Sequence, residues 1–203
     1  MNYSTRFESF FIGSLFNEGG NVSANRAKKI KDPGGATNWG ISLRFLKSCD
    51  IKIADINCDG VIDGKDILVL STEQAKNLYA RYFWIPYYED IIHMETAFRL
   101  WDFGINAGVK TAVRIYQLSV NQLLKMQALK PDGIFGIKCL TVSNTLNYKS
   151  ALTISETVES LFEQNIEAYY RSLKKTNFLS GWITRLKRNL SDILALVKKK
   201  QGK

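Results

Sequence analysis

Apolar residues in this chain recur at helical spacing, and this pattern constrains the fold more than any other feature. Residues 4–17 place Phe7, Phe10 and Leu15 on one side, and residues 94–107 are nearly all apolar on one side. Side chains three or four positions apart share one face of a helix, whereas a half-buried strand requires alternation with a period of two. Such alternation is almost absent, so the sequence predicts a mainly α protein with one small hairpin or loop region near residues 21–39.

Further helices are predicted from start and stop signals as well as from spacing. Ser71 begins one of them, because S-T-E-Q forms a capping box in which Ser71 and Gln74 satisfy free backbone N–H groups. Gly108 separates a helix over Met94–Ala107 from another over Lys110–Met126. The remaining predictions are a short helix within 41–48, a long amphipathic helix over Leu152–Lys174, and a last helix that ends in K-K-K-Q-G-K.

Composition narrows the classes of function. The 203 residues include one histidine, His93, and three cysteines without a C-x-x-C pair, so neither a zinc site nor a disulfide framework is predicted. The net charge of +9 suits nucleic acid, an anionic membrane or an anionic polymer such as bacterial cell wall. No apolar run approaches the roughly 18 residues that a membrane span requires, so stable membrane insertion is not expected. The N-terminus lacks the pattern of a signal peptide.

Glu18 stands alone at the end of an apolar run and is followed directly by Gly19 and Gly20. A second glycine pair, which includes Gly35, follows Asp32. Glycine lets the backbone approach a substrate closely, so two glycine pairs around a carboxylate predict an active site. A helix end and apolar neighbours should raise the pKa of Glu18, as a general acid requires. The alternatives are a solvated helix-terminal acid for Glu18 and a turn residue for Asp32.

Residues Asp55–Asp66, D-I-N-C-D-G-V-I-D-G-K-D, match the calcium loop of EF-hands. Oxygen-bearing side chains recur through the loop, and a glycine stands at position 6, where the loop must bend sharply. The last position is aspartate instead of the usual glutamate, which resembles dockerin loops. We expect a structural calcium ion here, with an acidic turn that has lost its ion as the alternative. The predicted ligands are Asp55, Asn57, Asp59, the carbonyl of Val61, Asp63 and Asp66.

Several motifs together resemble one family. Glu18-Gly19-Gly20 and D-P-G-G-A-T-N-W-G-I at 32–41 resemble the signature of glycoside hydrolase family 108, the lysozyme-like N-acetylmuramidases often called secretion activator proteins. Y-A-R-Y-F-W at 79–84 and W-D-F-G-I-N-A-G at 101–108 are similar to later segments of that family. D-G-I-F-G at 132–136 and F-L-S-G-W-I-T-R-L at 178–186 resemble its peptidoglycan-binding region, although Cys139 stands where threonine is usual.

The resemblance implies a lysozyme-like helical fold and hydrolysis of the β-1,4 bond between N-acetylmuramic acid and N-acetylglucosamine in bacterial peptidoglycan. Glu18 would be the general acid, and Asp32 or, as second candidate, Asp102 would be the second carboxylate. Asp102 and Asn106 are four positions apart, so a buried polar pair that holds the core together is the alternative for them. The residues implied in substrate binding are Gly19, Gly20, Gly35, Thr37, Trp39, Tyr82, Asp102 and Asn106.

The same resemblance suggests how the chain is organised and where it acts. We expect residues 1–95 to form the catalytic region, with the calcium loop as an insertion. Residues 96–203 should form a helical, peptidoglycan-binding-like region packed on it as one compact unit. The expected protein is a monomer that acts on bacterial cell wall, in the periplasm or outside the cell, and phage-type release is one route of export.

Two other functions compete with catalysis. A wall-binding module without activity would retain the basic surface but would not need Glu18 together with both glycine pairs. A nucleic-acid binder would suit the charge, but the sequence lacks the interleaving of aromatic and basic residues that such proteins use. Nucleic acid is therefore not an expected partner.

Overall fold

The computed structural model describes residues 3–17, 37–153 and 157–201. In those residues it confirms the mainly α class, with eleven α-helices, a short 3₁₀ helix at Pro86–Glu89 and one two-stranded sheet. The strands are β1 (Thr37–Asn38) and β2 (Ile41–Ser42). The helices are α1 (Thr5–Asn17), α2 (Leu43–Leu46), α3 (Ile51–Ala54), α4 (Gly64–Val69), α5 (Thr72–Tyr82), α6 (Met94–Ala107), α7 (Val109–Leu124), α8 (Ile137–Thr153), α9 (Val158–Ser172), α10 (Thr176–Leu186) and α11 (Leu190–Gln201).

The chain divides into two compact units, Met1–Tyr82 and Phe83–Lys203. In the first unit, α1 packs against α5 through aromatic side chains. Phe10 and Phe11 are buried, and the ring of Phe11 meets that of Tyr79 edge-on at 5.4 Å between centroids. The prediction of the first helix is confirmed, because the side chains at helical spacing are the ones that become buried.

The short helices of the first unit begin where polar side chains accept backbone N–H groups. The N–H of Phe45 donates to Ser42 Oγ at 3.2 Å, which starts α2 inside the predicted range 41–48. The predicted capping box at the start of α5 is confirmed. The N–H of Ser71 donates to Gln74 Oε1 at 2.9 Å, and the N–H of Gln74 donates to Ser71 Oγ at 3.2 Å.

In the second unit, α6 is the central helix, as predicted. Trp101 on α6 is fully buried, α7 packs against this helix, and α9 packs against α7. Phe103 meets Phe162 and Tyr170 of α9 edge-on, at 6.3 and 5.5 Å between ring centroids. Gly108, with φ of 88°, ends α6 and permits the sharp change of direction into α7.

Two helix predictions in the second unit are wrong in part. The helix predicted over Leu152–Lys174 begins only at Val158, because Thr157 caps it by accepting the N–H of Ser160 at 3.1 Å. Leu152 belongs instead to α8, a helix that the sequence analysis did not predict. The helix predicted over 110–126 runs from Val109 to Leu124, since Lys125 adopts a left-handed conformation with φ of 52°.

The C-terminal helices complete the second unit. The predicted last helix is present as α11, and the carboxylate of Glu95 accepts the N–H groups of Leu190 and Ser191 at its start, at 2.9 and 3.2 Å. A negative charge is favourable at this end of a helix because the N–H groups there carry partial positive charge. Among the described helices, none combines the length and the apolar character needed to cross a membrane.

Candidate functional site

Much of the predicted catalytic motif, namely Glu18, Gly19, Gly20, Asp32 and Gly35, lies outside the described residues. The described structure reaches this motif from both sides. Helix α1 is described to its end at Asn17, directly before Glu18 in the sequence, and the chain is described again from Thr37 onward. The raised pKa and the catalytic roles of these residues therefore stay predictions.

The hairpin of β1 and β2 holds two of the predicted substrate-binding residues, Thr37 and Trp39. Trp39 and Gly40 form the turn, and their φ angles of 51° and 76° are both positive, as the tight turn of a hairpin requires. A bulky side chain rarely adopts this conformation without support. Trp39 has such support, because its Nε1 donates to the carbonyl of Leu70 at 3.1 Å and its own carbonyl accepts the Tyr79 hydroxyl at 3.3 Å.

Asn38 anchors the same hairpin to α4. Its buried side-chain Nδ2 donates to the carbonyls of Ile67 and Leu70, at 3.0 and 3.2 Å. These bonds satisfy carbonyl groups that are left free at the end of a helix. The half-buried Thr37 and Trp39 are therefore held at a fixed position on the first unit, which is what a substrate-contacting hairpin requires.

Tyr82, the third predicted substrate-binding residue of this unit, is the last residue of α5. Its hydroxyl oxygen accepts the N–H of Asp50 at 3.0 Å, and its ring packs edge-on against Phe45 at 5.6 Å. Asp50 is the residue that caps α3, so Tyr82 joins the end of α5 to the segment between α2 and α3. The half-buried ring is fixed by these contacts, and a role in sugar binding stays a prediction.

Asp102 and Asn106, on α6, meet a partner that the sequence analysis did not single out. Arg185 of α10 donates from Nε and Nη2 to the two carboxylate oxygens of Asp102, both at 2.8 Å. Its Nη1 lies 3.4 Å from Asn106 Oδ1. Asp102 and Arg185 are 8% and 9% exposed, so this is a buried two-point ion pair. The contact favours the alternative in which Asp102 and Asn106 hold the core together.

The sequence did carry a signal for Arg185. It lies among Trp182, Ile183 and Leu186 on the amphipathic helix α10, and an arginine within an apolar stretch needs a buried acid as its partner. Which acid takes that place depends on how α10 packs against α6, and neither segment reveals this alone.

The predicted calcium loop is closed by hydrogen bonds between its carboxylates and its backbone. Asp55 Oδ1 accepts the N–H of Asp59 at 3.1 Å, and Asp55 Oδ2 accepts that of Gly60 at 2.8 Å. Gly60 has φ of 85°, in agreement with the sharp bend expected at the sixth position. The donor set, made of carboxylate, amide and carbonyl oxygens, has the chemistry that suits calcium.

Asp66, at the end of this loop, is fully buried and accepts three backbone N–H groups. Its Oδ1 accepts from Ile56 at 2.7 Å and Asn57 at 3.2 Å, and its Oδ2 accepts from Asp63 at 2.7 Å. Burial alone would raise the pKa of Asp66, but these N–H groups together lower it below its ordinary value. In the described parts of the chain, no group of three or more His, Cys, Asp or Glu side chains is already arranged around a metal position.

The D-G-I-F-G segment forms a turn that is held from inside by Gln117 of α7. Gln117 Nε2 donates to Asp132 Oδ1 at 3.1 Å, and Gln117 Oε1 accepts the N–H of Gly133 at 2.9 Å. The N–H of Ile134 and the Gln117 amide lower the pKa of Asp132. Cys139, at the position where threonine is usual, is buried with its Sγ 3.6 Å from Gln117 Nε2. These contacts give the D-G-I-F-G segment a structural role in the fold.

Comparison with known proteins finds one family and one similar fold. Residues 15–108 match the family described as glycosyl hydrolase 108. Among solved structures, the chain is similar to SagA of Brucella abortus, with 24% sequence identity and a TM-score of 0.65 over 93% of this chain and 94% of that one. This likeness shows a shared helical fold. Among curated proteins, none matches the chain. The matched residues, 15–108, include Glu18, Asp32 and the hairpin, and this similarity to glycosyl hydrolase 108 supports a peptidoglycan hydrolase of the lysozyme or muramidase type.

Proposed function

We propose that the protein is an N-acetylmuramidase that cleaves the β-1,4 bond between N-acetylmuramic acid and N-acetylglucosamine, with Glu18 as the general acid. The observation that carries this proposal is the family match from residue 15 to residue 108, which spans Glu18 and both glycine pairs.

In this mechanism Glu18 protonates the glycosidic oxygen as the sugar ring takes on oxocarbenium character. A second carboxylate activates water or stabilises the cation, and Asp32 is the first candidate for it. The ion pair of Asp102 with Arg185 supports the choice of Asp32 over Asp102, because both oxygens of Asp102 already accept strong hydrogen bonds.

The proposed substrate contacts surround the same motif. Gly19, Gly20 and Gly35 would let the glycan approach the backbone closely. Trp39 would offer a ring face to the sugar, and its fixed indole supports that role. Thr37 and Tyr82 would donate or accept hydrogen bonds at the sugar hydroxyl groups.

Analysis of the products tests the proposed bond. Purified peptidoglycan digested with the protein is reduced with borohydride, and the ends are identified by mass spectrometry. A muramidase leaves reduced N-acetylmuramic acid at the new ends. Reduced N-acetylglucosamine at those ends would contradict the proposed bond, and protein that binds sacculi without releasing any reducing ends would favour the wall-binding module.

We also propose that the loop Asp55–Asp66 binds a calcium ion that stabilises the first unit. The oxygen donors and the bend at Gly60 support this proposal. The carboxylates of Asp55, Asp59 and Asp66 accept backbone N–H groups of the loop. Calcium binding would draw these carboxylates together around the ion. The remaining proposed ligands are Asn57, the carbonyl of Val61, and Asp63.

The catalytic role of residues 1–95 and the wall-binding role of residues 96–203 remain part of the same proposal, as do a monomeric state and action in the periplasm or outside the cell. A net charge of +9 supports binding to an anionic cell wall. Export by phage-type release also stays a proposal.

A further inference from the structure

A groove of about 650 Å³ lies between α7 and α9 in the second unit. Its volume falls within the range of small-ligand sites, about 300–1,000 Å³. Both helices follow the family match, which ends at residue 108, so the catalytic motif does not account for this groove.

The polar wall of the groove includes the side-chain amides of Gln122 and Asn165, which are hydrogen-bonded to each other. Asn165 Nδ2 donates to Ser119 Oγ at 2.9 Å and to Gln122 Oε1 at 3.1 Å. Within the described part of the chain, Asn165 Oδ1 and Gln122 Nε2 make no hydrogen bond. The pair therefore presents one free acceptor beside one free donor, which is the complement of an acetamido group with its N–H and its C=O.

The rest of the lining suits the apolar parts of the same ligand. Leu118 and Met126 border the groove with 44% and 63% of their surface exposed, and they offer contact to a methyl group. The half-buried ring of Tyr169 also lines the groove and is fixed edge-on against Phe103 at 5.5 Å. A fixed aromatic ring offers a surface for the apolar face of a sugar.

Among the described residues, those that line the groove carry no charged side chain, although the protein has a net charge of +9. Stem peptides of the cell wall carry free carboxylate and ammonium groups, which an uncharged groove would have to strip of water without giving them a partner. An N-acetylated amino sugar is neutral and requires only the amide pair and the apolar border. The chemistry of the groove therefore favours the glycan over the peptide.

We propose that this groove binds an N-acetylglucosamine unit of the glycan strand and anchors the protein to its substrate. The assignment of this N-acetylglucosamine unit to the cell-wall glycan rests on the proposed muramidase function. The amide pair Gln122–Asn165 recognises the acetamido group, and Leu118 and Met126 receive its methyl group.

The test is a titration of the full chain with the N-acetylglucosamine trimer, followed by the side-chain amide signals of Gln122 and Asn165 in NMR spectra. We expect these signals to shift in the parent protein. In the double variant Leu118→Glu/Met126→Glu, the affinity of the groove for the trimer should fall by about tenfold or more. The reason is that the introduced carboxylates would lose water of hydration beside a neutral ligand. The control Ile51→Glu/Leu68→Glu carries the same charge change on residues that are 51% and 60% exposed and do not line the groove.

Shifts that are absent in the parent, or equally strong in the groove variant, would overturn the proposal. Met126→Glu alone provides a second variant if the double one fails to fold. Release of reducing ends from peptidoglycan is measured on the same samples. A parent that shows the amide shifts but no hydrolysis would contradict the muramidase function and leave the groove in place, whereas hydrolysis without the shifts would contradict the groove alone.

Discussion

The buried ion pair between Asp102 and Arg185 allows a sharp prediction about the second unit. Arg185→Met keeps most of the apolar stem of this side chain but removes the guanidinium group that donates to both Asp102 oxygens at 2.8 Å. Asp102, at 8% exposure, then loses the guanidinium group that balances its buried negative charge. The structure therefore predicts that α10 loses much of its attachment to α6.

The magnitude follows from the cost of an unpaired buried charge. Removing one member of a buried pair costs about 3–5 kcal/mol, whereas replacing both members with apolar side chains of similar volume is about neutral. For a chain of this length, about 2–4 °C of Tm corresponds to each kcal/mol, so Arg185→Met should lower Tm by about 6–20 °C. The double variant Asp102→Leu/Arg185→Met should recover most of that loss.

Urea unfolding followed by far-ultraviolet circular dichroism measures these differences for the parent, both single variants and the double variant. A loss below about 1 kcal/mol for Arg185→Met would mean that the pair behaves as a solvent-screened surface contact, which would refute the reasoning. The same proteins also separate the two roles of Asp102. A double variant with parent-like stability but without activity would show that this ion pair also contributes to the reaction or to substrate binding.

Three further predictions concern the turn around Gly133 and the loop that ends at Asp66. Gly133→Ala should destabilise the protein by about 1–3 kcal/mol in urea unfolding, because φ is 79° and a Cβ would lie 2.5 Å from the Lys110 carbonyl oxygen, whereas Gly136→Ala, with open space around it, should be close to neutral. The lowered folded-state pKa of Asp66 gives a stabilisation that is present above its unfolded value of about 3.9 and is lost as pH falls through the folded value. The stability difference between the parent and Asp66→Asn should therefore shrink on acidification, and a difference that grows would contradict this assignment. Calcium at about 100 times its Kd should raise the unfolding free energy by about 2.7 kcal/mol, and a melting midpoint that chelator leaves unchanged would speak against an occupied site.

The sequence predicted those helices whose buried faces consist of large apolar residues. Helices α1 and α6 follow from phenylalanine, leucine and tryptophan at helical spacing, because such side chains leave water wherever the helix packs. Helix α8 was missed for the same reason. Its buried side chains include Cys139, Ser143 and Leu146, which have helical spacing, but the first two do not register as a hydrophobic face. Ser143 is buried because the Tyr116 hydroxyl donates to it at 2.7 Å.

Only the part of the candidate site that is local in sequence could be predicted. The motif that holds Glu18 and its glycines is local in sequence, so it could be found without knowledge of the fold. The pairing of Asp102 with Arg185 joins residues 83 positions apart, and the amide pair Gln122–Asn165 joins residues 43 positions apart. Helical spacing fixes which side chains share a face but not which faces meet, so these contacts required the structure.

Release of reducing ends from purified peptidoglycan, compared between the parent and Glu18→Gln, measures what Glu18 contributes to catalysis. Glutamine keeps the shape and hydrogen-bonding capacity of the side chain but has no proton to give to the leaving oxygen. We expect the activity of Glu18→Gln to fall by about 10²–10⁴-fold while circular dichroism and the melting midpoint stay at parent values. Glu18→Gln protein that releases reducing ends at the parent rate would contradict the role of Glu18 as the general acid.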